Sequence, residues 1–245
     1  MGVKMIDLYC GDCLEVMKQI PDKSVDMILC DLPYGSTACK WDTIIPVDKL
    51  WEQYNRIIKD NGAIVLFGSE PFASYLRMSN LKMYRYDWIW QKTKYSNFLC
   101  LKKQPAKNYE NICVFYKKQP TYNPQMLYGK AYVDKKRQRL ICHQQKLGVH
   151  NREKPVVNIG TRYPNATIFF NNGNNHNVHP TQKPVPLCEY LVKTYTNEND
   201  TVLDNCMGSG TTGLACKHLN RNFIGIELDE HYFEIAKNRI ESELL

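Results

Sequence analysis

Val25-Asp26-Met27-Ile28-Leu29-Cys30-Asp31-Leu32-Pro33-Tyr34-Gly35 is the stretch from which the fold can be read. The apolar run from Val25 to Cys30 has the length and composition of a buried strand. Pro33 and Gly35 then break it, so a carboxylate, a pre-proline carbonyl and an aromatic ring collect at the strand's C-terminal end. In open α/β sheets, ligands bind outside the carboxyl ends of the strands. Asp31 and the Leu32 carbonyl are two acceptors in a row, which suits an exocyclic NH2 group with its two hydrogens. Tyr34 offers a flat face on which a planar base can stack. The plainer alternative is a strand-to-loop turn in which Asp31 caps and Pro33 stiffens.

Outward from this strand the pattern alternates. Met5 to Tyr9 reads as a strand leading into Gly11-Asp12-Cys13-Leu14-Glu15 and a helical turn through Ile20. Pro46 to Asp60 reads as a helix, with Asn61-Gly62 as its stop signal. Ala63 to Phe67 is a second buried strand and Pro71 to Met78 a helix. Tyr84 to Trp90 alternates as a strand does, with Asn111 to Tyr116 as its hairpin-type neighbour. From Lys117 to Asn177 the periodicity dissolves. After His179-Pro180-Thr181-Gln182-Lys183-Pro184 it returns as a helix (186–196), a strand (Thr201 to Asp204), a glycine turn with a helix through His218, a strand (Asn222 to Leu228) and a last amphipathic helix.

Composition narrows the class. Lys82 to Arg162 holds 18 Lys and Arg against 4 Asp and Glu, whereas the rest of the chain holds 14 against 21. A mixed solvated surface does not segregate charge this way, so the middle of the chain is the expected polyanion-binding face. Lys135, Lys136, Arg137 and Arg139 form its densest run, and Tyr122, Tyr128, Tyr132 and Tyr163 interleave with the charge. Ten cysteines are scattered, several inside apolar runs (Cys30, Cys113, Cys188, Cys206), as buried free thiols would be. Cys10-x-x-Cys13 lacks the second ligand pair of a zinc site, so no metal is expected. With no apolar stretch of about 20 residues and no signal-peptide core, the expectation is a soluble, cytoplasmic protein without membrane association.

Gly208-x-Gly210-x-x-Gly213 lies between a strand and a helix, the setting of a nucleotide-type fingerprint. Asp204 ends the strand just before it. A pyrophosphate there would face an extra negative charge with no nearby cation, whereas a ligand with a cationic amino acid end would welcome it. That favours S-adenosylmethionine over NAD. Glu227 ends the following strand, where an acid can accept from both ribose hydroxyls. No Lys-Ser or Lys-Thr follows the glycines, which removes the P-loop alternative. Asp204 as a helix cap and Glu227 as a surface turn are the structural alternatives.

Taken together, Asp31 to Tyr34, the basic middle, His179 to Pro184 and Asp204 to Gly213 resemble the motif order of the β-type, circularly permuted DNA amino-methyltransferases. The resemblance covers nearly the whole chain outside 117–177. It implies a Rossmann-like α/β methyltransferase fold with a mixed, mainly parallel seven-stranded sheet and helices on both faces. It implies one domain over 1–245, with 117–177 as an approximate target-recognition insertion. By the same resemblance Asp31, Leu32, Pro33 and Tyr34 are the catalytic segment. Asp12, Cys13, Asp31, Thr181, Gln182, Lys183, Asp204, Gly208, Ser209, Gly210, Thr211 and Glu227 would surround S-adenosylmethionine. Thr181 and Lys183 are similar to residues that hold its carboxylate, and Asp12 to an acid near its adenine.

Leu32 departs from the family pattern by replacing the first proline. Pro33 still restricts Leu32 to extended conformations, so the carbonyl keeps its direction. An Asp at position 31 resembles the adenine-N6 enzymes, where Ser accompanies cytosine N4. The expected substrate is double-stranded DNA, with a homodimer admitted and a restriction endonuclease partner not determined. Cytosine-N4 or RNA methylation, an inactive nucleic-acid-binding module and an NAD-dependent oxidoreductase are the alternatives.

Overall fold

Alternate residues of the central strands are buried on opposite sides of one sheet, which is why these strands read as nearly unbroken apolar runs. The structure, a computed structural model, describes residues 5–35, 43–134, 138–143, 146–151, 156–172 and 182–242, with the backbone alone described at 134, 138–143, 146–151 and 156. In chain order the first elements are β1 (Ile6–Cys10), α1 (Cys13–Met17), β2 (Val25–Cys30), α2 (Val47–Ile57), β3 (Ile58–Gly68), α3 (Phe72–Ser79), β4 (Tyr84–Gln91) and β5 (Tyr109–Phe115). Short strands follow: β6 (Leu127–Tyr128), β7 (Tyr132–Asp134), β8 (Gln138–His143), β9 (Lys146–Asn151), β10 (Val156–Asn158) and β11 (Thr161–Arg162). The chain closes with β12 (Thr167–Phe169), α4 (Val185–Tyr195), β13 (Thr201–Asp204), α5 (Thr211–His218), β14 (Asn222–Glu227) and α6 (Glu230–Ser242).

Two compact units result, one of residues 1–123 with 166–245 and the other of residues 124–165. In the first, the sheet order is β1-β14-β13-β2-β3-β5-β4-β12. Neighbours are parallel except where β5 meets β3 and β4. Ile28, Cys30, Ile64 and Leu66 face α1, α2 and α3. Met27, Leu29, Val65 and Phe67 face α4, α5 and α6. Helices therefore cover both faces, as a mainly parallel sheet requires.

The sheet has eight described strands, not seven. The added one, β12, pairs in parallel with β4, Thr167 to Phe169 opposite Ile89 to Gln91. Three residues are too few to show a period, so in the sequence it disappears into the insertion. The helix expected to run to Asp60 stops at Ile57, and the chain passes directly into β3. Asn61-Gly62 lies inside that strand, where the pairing with β2 shifts register between Val25 and Met27. A Cβ on Gly62 would come within 2.8 Å of the Asp26 carbonyl oxygen, so glycine here permits close strand approach rather than helix termination.

The second unit corrects the expectation that regular structure is lost throughout 117–177. It pairs β7 with β10, β6 with β11 and β8 with β9, all antiparallel. Strands of two to six residues with polar and aromatic side chains carry little periodicity. Tyr128 and Tyr163 are exposed, and the Arg162 guanidinium lies 5.4 Å from the Tyr132 ring centroid. Lys135, Lys136 and Arg137 fall outside the described residues. Arg139 falls in β8, where the backbone alone is described.

Candidate active site

β1, β14, β13 and β2 lie side by side in parallel, so their C-terminal ends share one edge of the sheet. Each delivers an acid there: Asp12 just past β1, Glu227 on β14, Asp204 on β13 and Asp31 just past β2. A cavity of about 610 Å³ opens over this edge and is lined by all four.

Asp31 is held from two sides. Tyr34 Oη donates to its Oδ1 at 2.6 Å, and Lys183 Nζ donates to its Oδ2. The Tyr34 ring stacks on Phe72, with centroids 4.9 Å apart and planes 30° from parallel. One ring face is thus covered by Phe72. Burial, with the Asp31 and Glu110 carboxylates, pushes the Tyr34 hydroxyl well above its usual range, so it remains a donor.

Lys183 is buried and reaches a second carboxylate, Glu110 Oε2, at 3.6 Å. Glu110 Oε1 accepts from Lys92 Nζ. Burial disfavours the ammonium of Lys183, but Asp31 and Glu110 outweigh burial and raise its pKa. Burial likewise opposes ionisation of Glu110, and Lys183 and Lys92 overcome it, holding the carboxyl below its usual range. Lys92, Glu110, Lys183 and Asp31 therefore form one alternating chain of charges on the cavity wall. In this structure Lys183 is engaged by Asp31, a pairing the sequence reading did not include.

The glycine turn follows from backbone geometry. Gly208 (φ 51°) and Gly210 (φ 77°) occupy the left-handed region that disfavours side chains, and Gly210 leads into α5 without a side-chain cap. Gly213 serves packing: a Cβ there would lie 2.8 Å from the Phe223 ring and 2.4 Å from Ile240 Cδ1. Ser209 Oγ donates to Gln182 Oε1 at 3.3 Å, linking this turn to the segment before α4. Thr211 lines the cavity, and Thr181 lies outside the described residues.

The other acids are engaged by the protein itself. Asp204 is buried, accepting from Thr212 Oγ1 at 2.7 Å and from the Cys206 amide at 3.2 Å. Burial pushes its pKa up to about 7 against those hydrogen bonds. Glu227 accepts from the Gly208 amide at 2.8 Å and the Asp229 amide at 3.0 Å, and burial raises it too. Neither acid matches its structural alternative: α5 starts at Gly210 without a side-chain cap, so Asp204 is not its helix cap, and Glu227 is buried rather than on a surface turn. Asp12 caps α1, its Oδ1 accepting from the Leu14 amide at 2.7 Å. Cys13 is buried beside Cys206, whose hydrogen bond lowers the Cys13 thiol.

Sequence reading missed Glu110, Lys92 and Phe72. An acid and a basic residue at the two mouths of adjacent apolar strands were the available signal. Phe72 opens a helix and has no local mark of its role.

A DNA methylase family model matches residues 25–238. The type II methyltransferase M.HpaI of Haemophilus parainfluenzae is 29% identical over 251 residues, covering 96% of this chain and 74% of its own. The DNA adenine methyltransferase YhdJ of Escherichia coli (strain K12) is 27% identical, covering 94% and 81%. Among solved structures, the M1.HpyAVI–SAM complex superposes with a TM-score of 0.63 at 26% identity, covering 96% of this chain and 99% of that one. The cytosine-N4-specific PvuII DNA methyltransferase, at 17% identity, shares the fold with a TM-score of 0.68 and coverage of 97% and 89%.

Proposed function

This chain belongs to the N6/N4 DNA methylase family, and we propose that it methylates the N6 amino group of an adenine turned out of duplex DNA, with S-adenosylmethionine as cofactor. One observation carries the reading. The Asp31 carboxylate, fixed by Tyr34 and Lys183, lines the same cavity as the glycine turn and Glu227.

The cavity suits the cofactor. Gly208 lines it without a side chain, whereas Gly210 backs onto Ala236 and Ile240 of α6, and Asp204 and Glu227 stand beside that turn with oxygen lone pairs beyond those they already use. Asp204 would accept from the amino acid ammonium and Glu227 from the ribose hydroxyls. Asp12, Cys13, Gln182, Ser209 and Thr211 would complete the walls, with Lys183 toward the carboxylate end. When bound, S-adenosylmethionine supplies an electrophilic methyl group on a sulfonium.

The residues of the chain prepare the acceptor. An aromatic amine is a poor nucleophile because its lone pair is delocalised into the ring. Asp31 and the Leu32 carbonyl accept its two N–H bonds and hold the nitrogen in a geometry that frees the lone pair. Pro33 keeps that carbonyl directed, and the face of Tyr34 away from Phe72 carries the base. Extrusion of the base costs about a few kcal/mol, offset by stacking and hydrogen bonds in the pocket. Positioning and fixed charge supply the rate effect without a covalent enzyme intermediate.

Aspartate at position 31, and the adenine specificity named for the YhdJ relative, support adenine N6 over cytosine N4. The charge segregation over 82–162 supports DNA as the polyanion. Titration calorimetry with S-adenosylmethionine and with NAD, followed by transfer of labelled methyl groups into unmethylated DNA, tests the proposal. Binding of the first alone, with label in adenine, is expected. NAD binding, or cofactor binding without transfer, would overturn it.

A further inference from the structure

We propose that the loop between β4 and β5, residues 92–108, is a wedge that enters the base stack of duplex DNA beside the cavity and fills the gap left by the extruded base. The inference rests on the DNA-methylating function and adds to it a residue-level mode of DNA engagement. The loop carries Lys92, Lys94, Lys102, Lys103 and Lys107 and no acid. At its tip is a short turn, Phe98–Cys100, where Phe98 is 64% and Leu99 84% exposed, with Leu101 also exposed. Adjacent exposed apolar side chains are costly in water unless a partner covers them.

The tip is not a loose end. Rungs close the loop at its base: Lys92 N to Asn108 O at 2.7 Å and Ser96 N to Lys107 O at 3.0 Å. Asn97 clamps it from within, donating to the Pro105 carbonyl at 2.8 Å and accepting from the Lys107 amide at 2.7 Å. Lys107 Nζ ties the base to Ser69 Oγ at 2.6 Å, and the Lys94 amide donates to Asn172 Oδ1 at 2.9 Å. Ordering a loop costs entropy, and here that cost is met before any partner arrives.

Position and charge select the partner. Trp90, Lys92, Ser96 and Glu110 at the loop's base line the cavity that holds Asp31. An apolar tip one short loop away from the pocket for an extruded base, flanked by exposed Lys94, Lys102 and Lys103, matches a stack between two phosphate rails. Apolar side chains inserted between base steps stabilise unstacked DNA by the same contacts.

The double variant Phe98→Ser, Leu99→Ser in the full chain separates this role from others. Methyl transfer is measured on native and on heat-denatured unmethylated genomic DNA, and binding on a random duplex with and without one abasic site. The wedge predicts a loss of about tenfold on native DNA, the scale of one lost stacking contact, and no loss on single strands. It also predicts that the parent protein prefers the abasic duplex and that the variant does not. An abasic preference without transfer by the parent would refute the methylating function while sustaining the wedge. Unchanged native-to-denatured ratio and unchanged abasic preference would overturn the wedge. The same unchanged values with a fall in molar mass by light scattering would overturn it in favour of a second copy covering the tip.

Discussion

Lys183 donates to the carboxylate of Asp31 across 152 residues of sequence. The contact fastens the segment before α4 to the end of β2, so under the proposed function a cation assigned to the cofactor and an acid assigned to the base share one charge balance. Replacing Asp31 by Ala should abolish transfer while leaving DNA affinity intact, if the basic middle of the chain supplies that affinity as proposed. It should not weaken S-adenosylmethionine binding, because Lys183 loses a competitor for the cofactor carboxylate. Lys183→Met should lower cofactor affinity by about 1.5–3 kcal/mol, the range of a charge-assisted hydrogen bond. Calorimetry on both variants checks this; a weaker cofactor complex in Asp31→Ala would break the linkage.

Glu110 sits between two lysines, and its removal leaves buried positive charge uncompensated. Breaking a buried pair from one side costs about 3–5 kcal/mol, whereas apolar replacement of both sides is often neutral. Urea unfolding of Glu110→Gln should show a loss of that order, and Lys92→Met with Glu110→Leu should recover much of it. Turnover should stay low in both, because Lys183 has lost its second anchor. Equal stability of the parent and the single variant would show that solvent already screens the cluster.

The pH dependence follows from Asp204, pushed up to about 7 by burial. Between the usual carboxylate range near pH 4 and pH 7, the folded chain binds more protons than the unfolded chain. Stability contributed by Asp204 is therefore fully present below that window and declines as pH rises through it. An Asp204→Asn variant should lack this part of the slope in thermal unfolding. Cofactor binding runs the other way, since an ammonium needs the ionised acid. S-adenosylmethionine affinity should rise from pH 5.5 to 8 and binding near pH 6.5 should release a proton, seen as buffer-dependent heats. Heats independent of buffer would place the ammonium elsewhere.

Much of the first unit was legible because its strands are buried on both faces, which leaves apolar runs that no loop would carry. The strand ends were legible for a related reason: Asp31, Asp204 and Glu227 each end such a run. The Asn61-Gly62 turn signal misled because a strand irregularity uses the same residues as a helix stop. The Lys183–Asp31 contact and the Phe72 platform under Tyr34 were not legible, since chain folding alone brings them together. The engagement of Asp204 by Thr212 comes from the second residue of α5, where a threonine carries no distinguishing mark.

Gly213 gives a packing test inside the glycine motif. Alanine should favour the helix by about 1 kcal/mol on propensity, but its Cβ would strike Ile240 Cδ1 and the fully buried Phe223. A net destabilisation of about 1–3 kcal/mol is expected from overpacking. Ile240→Val removes the nearest atom, so the double variant should be more stable than the sum of the singles. Additivity would mean that α5 and α6 do not meet at this point.

The most direct test is mass spectrometry of nucleosides from the DNA of a methylation-free host expressing this chain or its Asp31→Ala variant. N6-methyladenine in the first and its absence from the second is the predicted result. N4-methylcytosine in its place, or N6-methyladenine at equal level in the variant, would contradict the assignment of Asp31 to an adenine amine.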